Sequence, residues 1–166
     1  SRQWQWVDEI NTTNWTPSQI GQFLAFLPFT SDTWKRVTQL LREDESPYWS
    51  KASVNPYGND QNIEMAIDRL VEYGRARDAI ICFKQIQYKK KKLNSQQAIR
   101  VLQALLQSPQ GFNDIDFHAV IEVIKELHDD PSTNPDDLFQ IEWAFLPLLD
   151  GLDGASPNLL ENRLAD

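Results

Sequence analysis

The stretch Ile63–Phe83, IEMAIDRLVEYGRARDAIICF, contains the pattern that decides the fold. Its apolar residues fall into two runs separated by Gly74, and within each run they recur at three- and four-residue spacing, as on one face of an α-helix. The first run consists of Ile63, Ala66, Ile67, Leu70 and Val71, and the second of Ala79, Ile80, Phe83 and, just beyond, Ile86. A glycine readily adopts the left-handed conformation in which many helices end. The stretch therefore predicts two helices joined by a tight turn.

The same spacing predicts two more helices upstream. Thr16 and Pro17 fit the cap and the first position of one helix, and a second begins near Asp32. Trp34 lies on the apolar stripe of the second helix, so we expect it in the core. We interpret residues 1–45 as an N-terminal helical hairpin.

Residues 46–60 are rich in turn-forming residues and are interpreted as a connection with one short turn around Tyr48-Trp49. Residues 61–166 are interpreted as a helical-repeat region, continuous with the rest as one domain. Pro147 is expected to kink or end the helix that contains it, and Trp143 to pack in the core. Further helices are predicted to start at Asn94 or Ser95, near Asp114, at Asn134-Pro135 and at Ser156-Pro157.

The fold class predicted from these patterns is all-α. No segment alternates apolar and polar residues with a period of two, so we assign no strand. Seven or eight short helices with short connections are typical of antiparallel helical hairpins stacked in sequence. The expected arrangement is an α-solenoid.

The hairpin in Ile63–Phe83 resembles a tetratricopeptide repeat. Small residues at Ala66 and Ala79 would let the paired helices approach, Gly74 would allow the turn, and Phe83 would fill the gap to the next hairpin. The repeat is degenerate, because no proline closes the unit near position 91 and no second copy follows at the repeat's usual period of about 34 residues. The resemblance implies a superhelix that binds proteins on a concave surface.

A second resemblance covers residues 138–166. The stretch from Ile141 to Leu149, IEWAFLPLL, followed by PNLL at residues 157–160, is similar to the C-terminal helical regions of large bacterial proteins built around an NTPase or another effector domain. Several of those proteins belong to antiphage defence, where the helical region senses a foreign protein or scaffolds assembly. The resemblance implies that this chain is part of a longer bacterial protein with such a role.

Charge and composition limit the function classes. The net charge of -8 and a pI of about 4.7 disfavour nucleic acid and anionic lipid as partners. The lone Cys82 lies in an apolar run and indicates a reducing compartment. The sequence has no apolar run long enough to span a membrane and no signal-peptide pattern, so we expect a cytoplasmic protein without membrane contact.

Residues with catalytic chemistry are scarce. His118 and His128 are the only histidines; we interpret the first as a residue of its helix and the second as a favourable charge at a helix end. No phosphate-binding glycine motif is present, and the acidic residues do not have the spacing of a calcium loop. We therefore expect no enzymatic activity, no metal and no cofactor.

The predicted function is recognition or scaffolding of another protein. Two kinds of side chain are candidates for the contact: cations, which are Arg69, Arg75, Arg77, Lys89, Lys90, Lys91 and Lys92, and aromatic anchors, which are Tyr48, Trp49 and Tyr57. The lysine block has an alternative interpretation, since cations at the C-terminal end of a helix also meet its dipole favourably. A structural spacer that positions an effector or NTPase domain is the alternative function.

Overall fold

The computed structural model of the protein describes residues 2–55, 57–58, 61–109 and 114–149. Over these residues it has nine α-helices and no strand, which confirms the all-α prediction for this part of the chain. In chain order they are α1 Arg2–Glu9, α2 Pro17–Ala25, α3 Ser31–Leu41, α4 Ser46–Trp49, α5 Ile63–Glu72, α6 Ala76–Tyr88, α7 Ser95–Leu106, α8 Phe117–Asp129 and α9 Pro135–Leu149. None of these helices is both long enough and apolar enough to cross a bilayer.

The chain divides into two compact units, Ser1–Lys91 and Lys92–Asp166. The division lies inside the lysine block and not in the turn-rich stretch 46–60. That stretch belongs to the first unit, because α4 packs on α2 and the guanidinium of Arg75 donates hydrogen bonds of 2.8 Å to the carbonyl oxygens of Trp49 and Ala52.

In the first unit, α2 begins with the N-terminal cap that its sequence predicts. The backbone N–H of Gln19 donates to the Thr16 hydroxyl and the Gln19 side chain accepts from the Thr16 N–H, which forms a capping box and confirms the predicted start. The helix α3 packs on α2 and buries Trp34, as predicted, against the rings of Phe29 and Trp49. An aromatic cluster therefore fills this half of the unit.

The helix α1 was not predicted from the sequence. Arg36 of α3 holds it: its guanidinium lies 4.4 Å from the centre of the Trp4 ring and donates hydrogen bonds of 2.7 and 2.8 Å to Asp8. Val7 is the buried apolar residue of α1. Because α1 is held by the contacts of Arg36 and by one buried valine, its sequence shows little apolar periodicity from which a helix could be predicted.

The hairpin α5–α6 has the predicted form. Gly74 has a φ of +73°, the N–H of Arg75 donates to the Leu70 carbonyl at 2.7 Å, and the N–H of Gly74 donates to Val71 at 3.0 Å. This pair of bonds is the Schellman motif, which satisfies the last carbonyls of a helix. Asp60, predicted as the cap of α5, lies outside the described residues.

The second unit contains α7, α8 and α9, which pack on one another. Asn94 caps α7, as predicted, and Asp116 caps α8, two residues after the predicted start at Asp114. The helix α9 continues through Pro147 to Leu149, so of the two predicted effects of the proline, a kink or an early end, the structure shows that the helix does not end at Pro147 itself. The helix predicted from Ser156 lies outside the described residues.

The expectation that Trp143 packs in the core is also wrong, because its side chain is 65% exposed. Leu138, Ile141 and Phe145 form the buried stripe of α9. Trp143 is two residues from both Ile141 and Phe145, and residues two apart on a helix do not share a face. The aromatic therefore points away from the packed side of α9.

Candidate functional site

Two of the predicted aromatic anchors are core residues. Tyr48 and Trp49 are each 1% exposed, so the prediction that they contact a partner is wrong. Their rings pack edge-on against each other at 5.0 Å, and Trp49 also packs against Phe29 and Trp34. The turn-forming residues around Tyr48 and Trp49 predict an exposed connection, so the burial of this short helix was not expected from the sequence.

The predicted arginines are engaged within the protein. Arg69 lies 2.8 Å from Glu72 and 3.8 Å from Glu45, and Arg75 lies 2.8 Å from Asp78 in addition to its two carbonyl contacts. Arg77 is half-buried in α6. The contacts of Arg69 and Arg75 stabilise the fold, and these two side chains offer little charge to a partner.

The four predicted lysines differ in exposure and in the unit to which they belong. Lys89 is half-buried at the end of α6, whereas Lys90 and Lys91 are exposed in the turn that follows. Lys92 belongs to the second unit, where its ammonium lies 2.9 Å from Asp130. Lys90 and Lys91 are thus exposed cations two and three residues after Tyr88, the last residue of α6.

Tyr57, the third predicted anchor, lines a cavity of about 210 Å³ in the first unit. The other lining residues are Gly58, Gln85 and Tyr88, and we call this cavity the tyrosine pocket. The two tyrosines are 83% and 89% exposed, whereas Gln85 is 1% exposed. Two solvated phenol rings therefore stand around a buried amide.

The buried amide of Gln85 has one satisfied end. Its Nε2 donates a short hydrogen bond to the carbonyl oxygen of Asn55, which fixes the loop before Tyr57 against α6. Its Oε1 is buried and accepts no hydrogen bond from a protein group that the structure describes. An unpaired buried acceptor costs about 1–3 kcal/mol, so a donor that reaches this oxygen binds with that advantage.

Gly58 lets the loop lie close to Gln85. A Cβ at position 58 would lie 2.9 Å from Nε2 of Gln85, which is closer than side-chain carbons approach other atoms. The absence of a side chain there keeps the cavity open between the loop and α6. Any larger residue at 58 would displace the amide or fill the space.

Comparison with protein-family models, curated proteins and solved structures finds no match for this chain. Its function is therefore inferred from the geometry of its own surface.

The groups with catalytic potential are dispersed. His118 is exposed on α8, and His128 Nδ1 lies 3.5 Å from Oε1 of the buried Glu142 on α9. Burial raises the pKa of the Cys82 thiol, which disfavours the reactive thiolate. Among the described residues no three His, Cys, Asp or Glu side chains are grouped to hold a metal ion.

Sequence reasoning missed Gly58, Gln85 and Tyr88. Tyr88 carried a usable signal, because it is a large aromatic residue off the apolar stripe of α6 and directly before the lysines. Gln85 carried none, since a glutamine in the middle of a helix is usually solvated. Its burial depends on contact with a loop 30 residues earlier.

Proposed function

We propose that this chain is a non-catalytic recognition module that binds a segment of another protein at the tyrosine pocket. The observation that carries the proposal is the pairing of two exposed tyrosines with a buried glutamine whose carbonyl oxygen accepts no hydrogen bond from the described protein. Tyrosine is enriched among residues that dominate binding energy, because it combines a large apolar ring with a polar group.

The size of the pocket favours a protein ligand. Its volume of about 210 Å³ is below the roughly 300–1,000 Å³ of typical small-molecule sites. It suits one inserted side chain of a larger partner, with the tyrosine rings packing on both sides. A partner N–H that reaches Gln85 Oε1 would pair the buried acceptor and select a polar group at that position.

Charge narrows the partner further. Lys90 and Lys91 are exposed two and three residues after Tyr88, so we place a basic border beside the pocket although the whole chain carries a net charge of -8. Charges at the rim of an interface speed association and select partners more than they add affinity. The proposed ligand is a segment with acidic residues beside one bulky side chain.

The repeat architecture and the cellular setting belong to the same proposal. The α5–α6 hairpin, with its glycine turn and small residues at Ala66 and Ala79, supports a tetratricopeptide-like α-solenoid. The role would be recognition or scaffolding in a larger cytoplasmic bacterial protein, and the resemblance of residues 138–166 suggests antiphage sensing.

A peptide-display selection against the whole chain tests the proposal. Random peptides on phage are selected for binding, and the recovered peptides should contain acidic residues around one bulky residue. They should lose about tenfold or more in affinity for Tyr57→Ser and for Tyr88→Ser. Phe26→Ser is the matched control, since Phe26 is equally solvated at 87% exposure but lies at the C-terminal cap of α2. Peptides that bind the tyrosine variants as tightly as the wild type would refute the proposal.

A structural spacer is the second candidate function. The contacts that Trp49, Arg69 and Arg75 make within the chain favour it. These residue types often bind partners, but here they stabilise the fold. A spacer predicts that replacing Tyr57 and Tyr88 together leaves the activity of the longer protein unchanged. A recognition module predicts that this double substitution abolishes the response to the partner.

A further inference from the structure

The exposed side of α9 carries an aromatic pair. The rings of Phe139 and Trp143 stack with centroids 6.3 Å apart and planes inclined by 27°. Both side chains are more than half exposed, whereas Leu138, Ile141 and Phe145 on the other side of the helix are buried. The pair thus forms an apolar ridge on a helix that already has a complete packed face.

The helix that carries this ridge is acidic. From Pro135 to Leu149 it contains three acidic residues and no lysine or arginine. Asp136 is exposed and precedes Phe139 by three residues, so it lies on the same side of α9 as the ring pair. Glu142 is buried near His128 and does not contribute to this surface.

We infer that the Phe139–Trp143 ridge is a docking surface for a basic, amphipathic segment of a partner protein. Apolar side chains of the partner would cover the rings, and its lysines or arginines would meet Asp136 and the face of Trp143. A cation over an indole face gains about 0.5–2 kcal/mol, depending on how far it is desolvated. This surface is separate from the tyrosine pocket in residues and in the charge it selects.

The acidic charge near the Phe139–Trp143 ridge disfavours two other occupants of this surface, an anionic membrane and a second copy of the chain. An anionic membrane surface attracts basic segments and would repel this acidic face. A second copy docked face to face would place the same acidic residues of both copies against each other, in a chain whose net charge is already -8. A cationic partner is the occupant that the charges favour.

Binding of designed peptides to the whole chain tests the inference. The probe is a labelled peptide in which leucine and lysine recur at helical spacing, and fluorescence anisotropy measures its affinity. Trp143→Ala and Phe139→Ala should each weaken binding about tenfold, and Asp136→Asn should weaken it less and reduce its salt dependence. Phe26→Ala, at a more exposed aromatic residue of the first unit, should leave the affinity unchanged.

Two comparisons can overturn the inference. A peptide with glutamate in place of lysine, or one with the same composition in scrambled order, should bind at least about tenfold more weakly than the probe. Equal binding of either peptide, or unchanged affinity of both aromatic variants, would refute a basic amphipathic ligand.

Sedimentation equilibrium adds a third outcome: a wild-type dimer that Trp143→Ala converts to a monomer would show that a second copy occupies the ridge and would overturn the inference. All substitutions are at exposed positions, and circular dichroism checks that each variant remains folded.

Discussion

The indole nitrogen of Trp49 donates a 2.7 Å hydrogen bond to a carboxylate oxygen of Glu45, and both side chains are buried. The other carboxylate oxygen accepts a 2.7 Å hydrogen bond from the Thr38 hydroxyl, and the guanidinium of Arg69 lies 3.8 Å from the oxygen that accepts from Trp49. One carboxylate therefore connects α3, α4 and α5. Buried charges are tolerated when they are hydrogen-bonded in this way.

Glu45→Ala should destabilise the first unit by about 1–3 kcal/mol, because it leaves the buried Trp49 N–H without an acceptor. Glu45→Gln should reduce the stability of the first unit less, since the glutamine amide oxygen can still accept a hydrogen bond from the indole N–H of Trp49. Urea denaturation followed by tryptophan fluorescence measures the difference. The control is Glu43→Ala at an exposed neighbour. A Glu45→Ala variant as stable as this control would contradict the assigned role of the carboxylate.

Gly21→Ala should change the stability of the first unit in two opposing ways, through the helix propensity of alanine and through its packing against α4. In an open helix this change stabilises by roughly 0.8–1.0 kcal/mol. Here a Cβ would lie 2.5 Å from the backbone carbon of Pro47, where α4 meets α2. We expect the sign to reverse, with a loss of roughly 1–3 kcal/mol from overpacking.

The same denaturation assay measures the Gly21→Ala change, with Gln22→Ala at the adjacent exposed position as the control. The control should remain within about 0.5 kcal/mol of the wild type. A stabilised Gly21→Ala variant would show that α2 and α4 do not approach as closely as the structure has them.

The parts of the fold that could be predicted are those encoded locally. Gly74 and the apolar runs on both sides of it specify α5, the turn and α6 within 21 neighbouring residues. Trp143 was misassigned because its aromatic character outweighed its position, which is out of phase with Ile141 and Phe145. Tyr48 and Trp49 were misassigned because the turn-forming residues around them masked a buried helix.

Less of the candidate site could be predicted, since it depends on a contact distant in sequence. Tyr57 was recognised as an exposed aromatic residue, and Lys90 and Lys91 as cations. The pocket exists only because the loop at Gly58 lies on Gln85 of α6, and no periodic pattern encodes where a loop will lie. Residue types thus indicated part of the site, and tertiary packing assembled it.

The ends of α5 and α6 predict that removing a glycine from the first destabilises the protein and that introducing one at the second stabilises it. Both helices end in a Schellman motif, with Gly74 at φ +73° in one and Lys90 at φ 53° in the other. Gly74→Ala should destabilise by about 1 kcal/mol, and Lys90→Gly should stabilise by up to about 1 kcal/mol, because glycine adopts the left-handed region without steric penalty. Thermal unfolding of both variants checks the pair. Lys91→Gly is the control for loss of a lysine, and a Lys90→Gly variant less stable than this control would contradict the assigned cap.

Asp130 predicts a pH-dependent contribution to the stability of the second unit. Hydrogen bonds from Ser95, from the Lys92 ammonium and from the backbone and hydroxyl of Ser132 favour its ionised form and lower its pKa well below the usual range. A group whose pKa is lowered by folding stabilises fully above its unfolded pKa, near 4 for aspartate, and this contribution is lost as the pH falls towards the folded pKa.

Asp130→Asn should therefore lower the melting temperature at pH 7, and the difference from the wild type should shrink steadily below about pH 4. Circular dichroism melts at a series of pH values measure this, with Asp129→Asn at the exposed adjacent position as the control. A constant difference from pH 7 to pH 3 would mean that the Asp130→Asn variant is destabilised through lost shape or hydrogen bonding alone, and would contradict the assigned role of the charge. A shrinking difference for Asp130→Asn but not for Asp129→Asn would assign the pH dependence to the carboxylate that joins the start of α7 to the loop before α9.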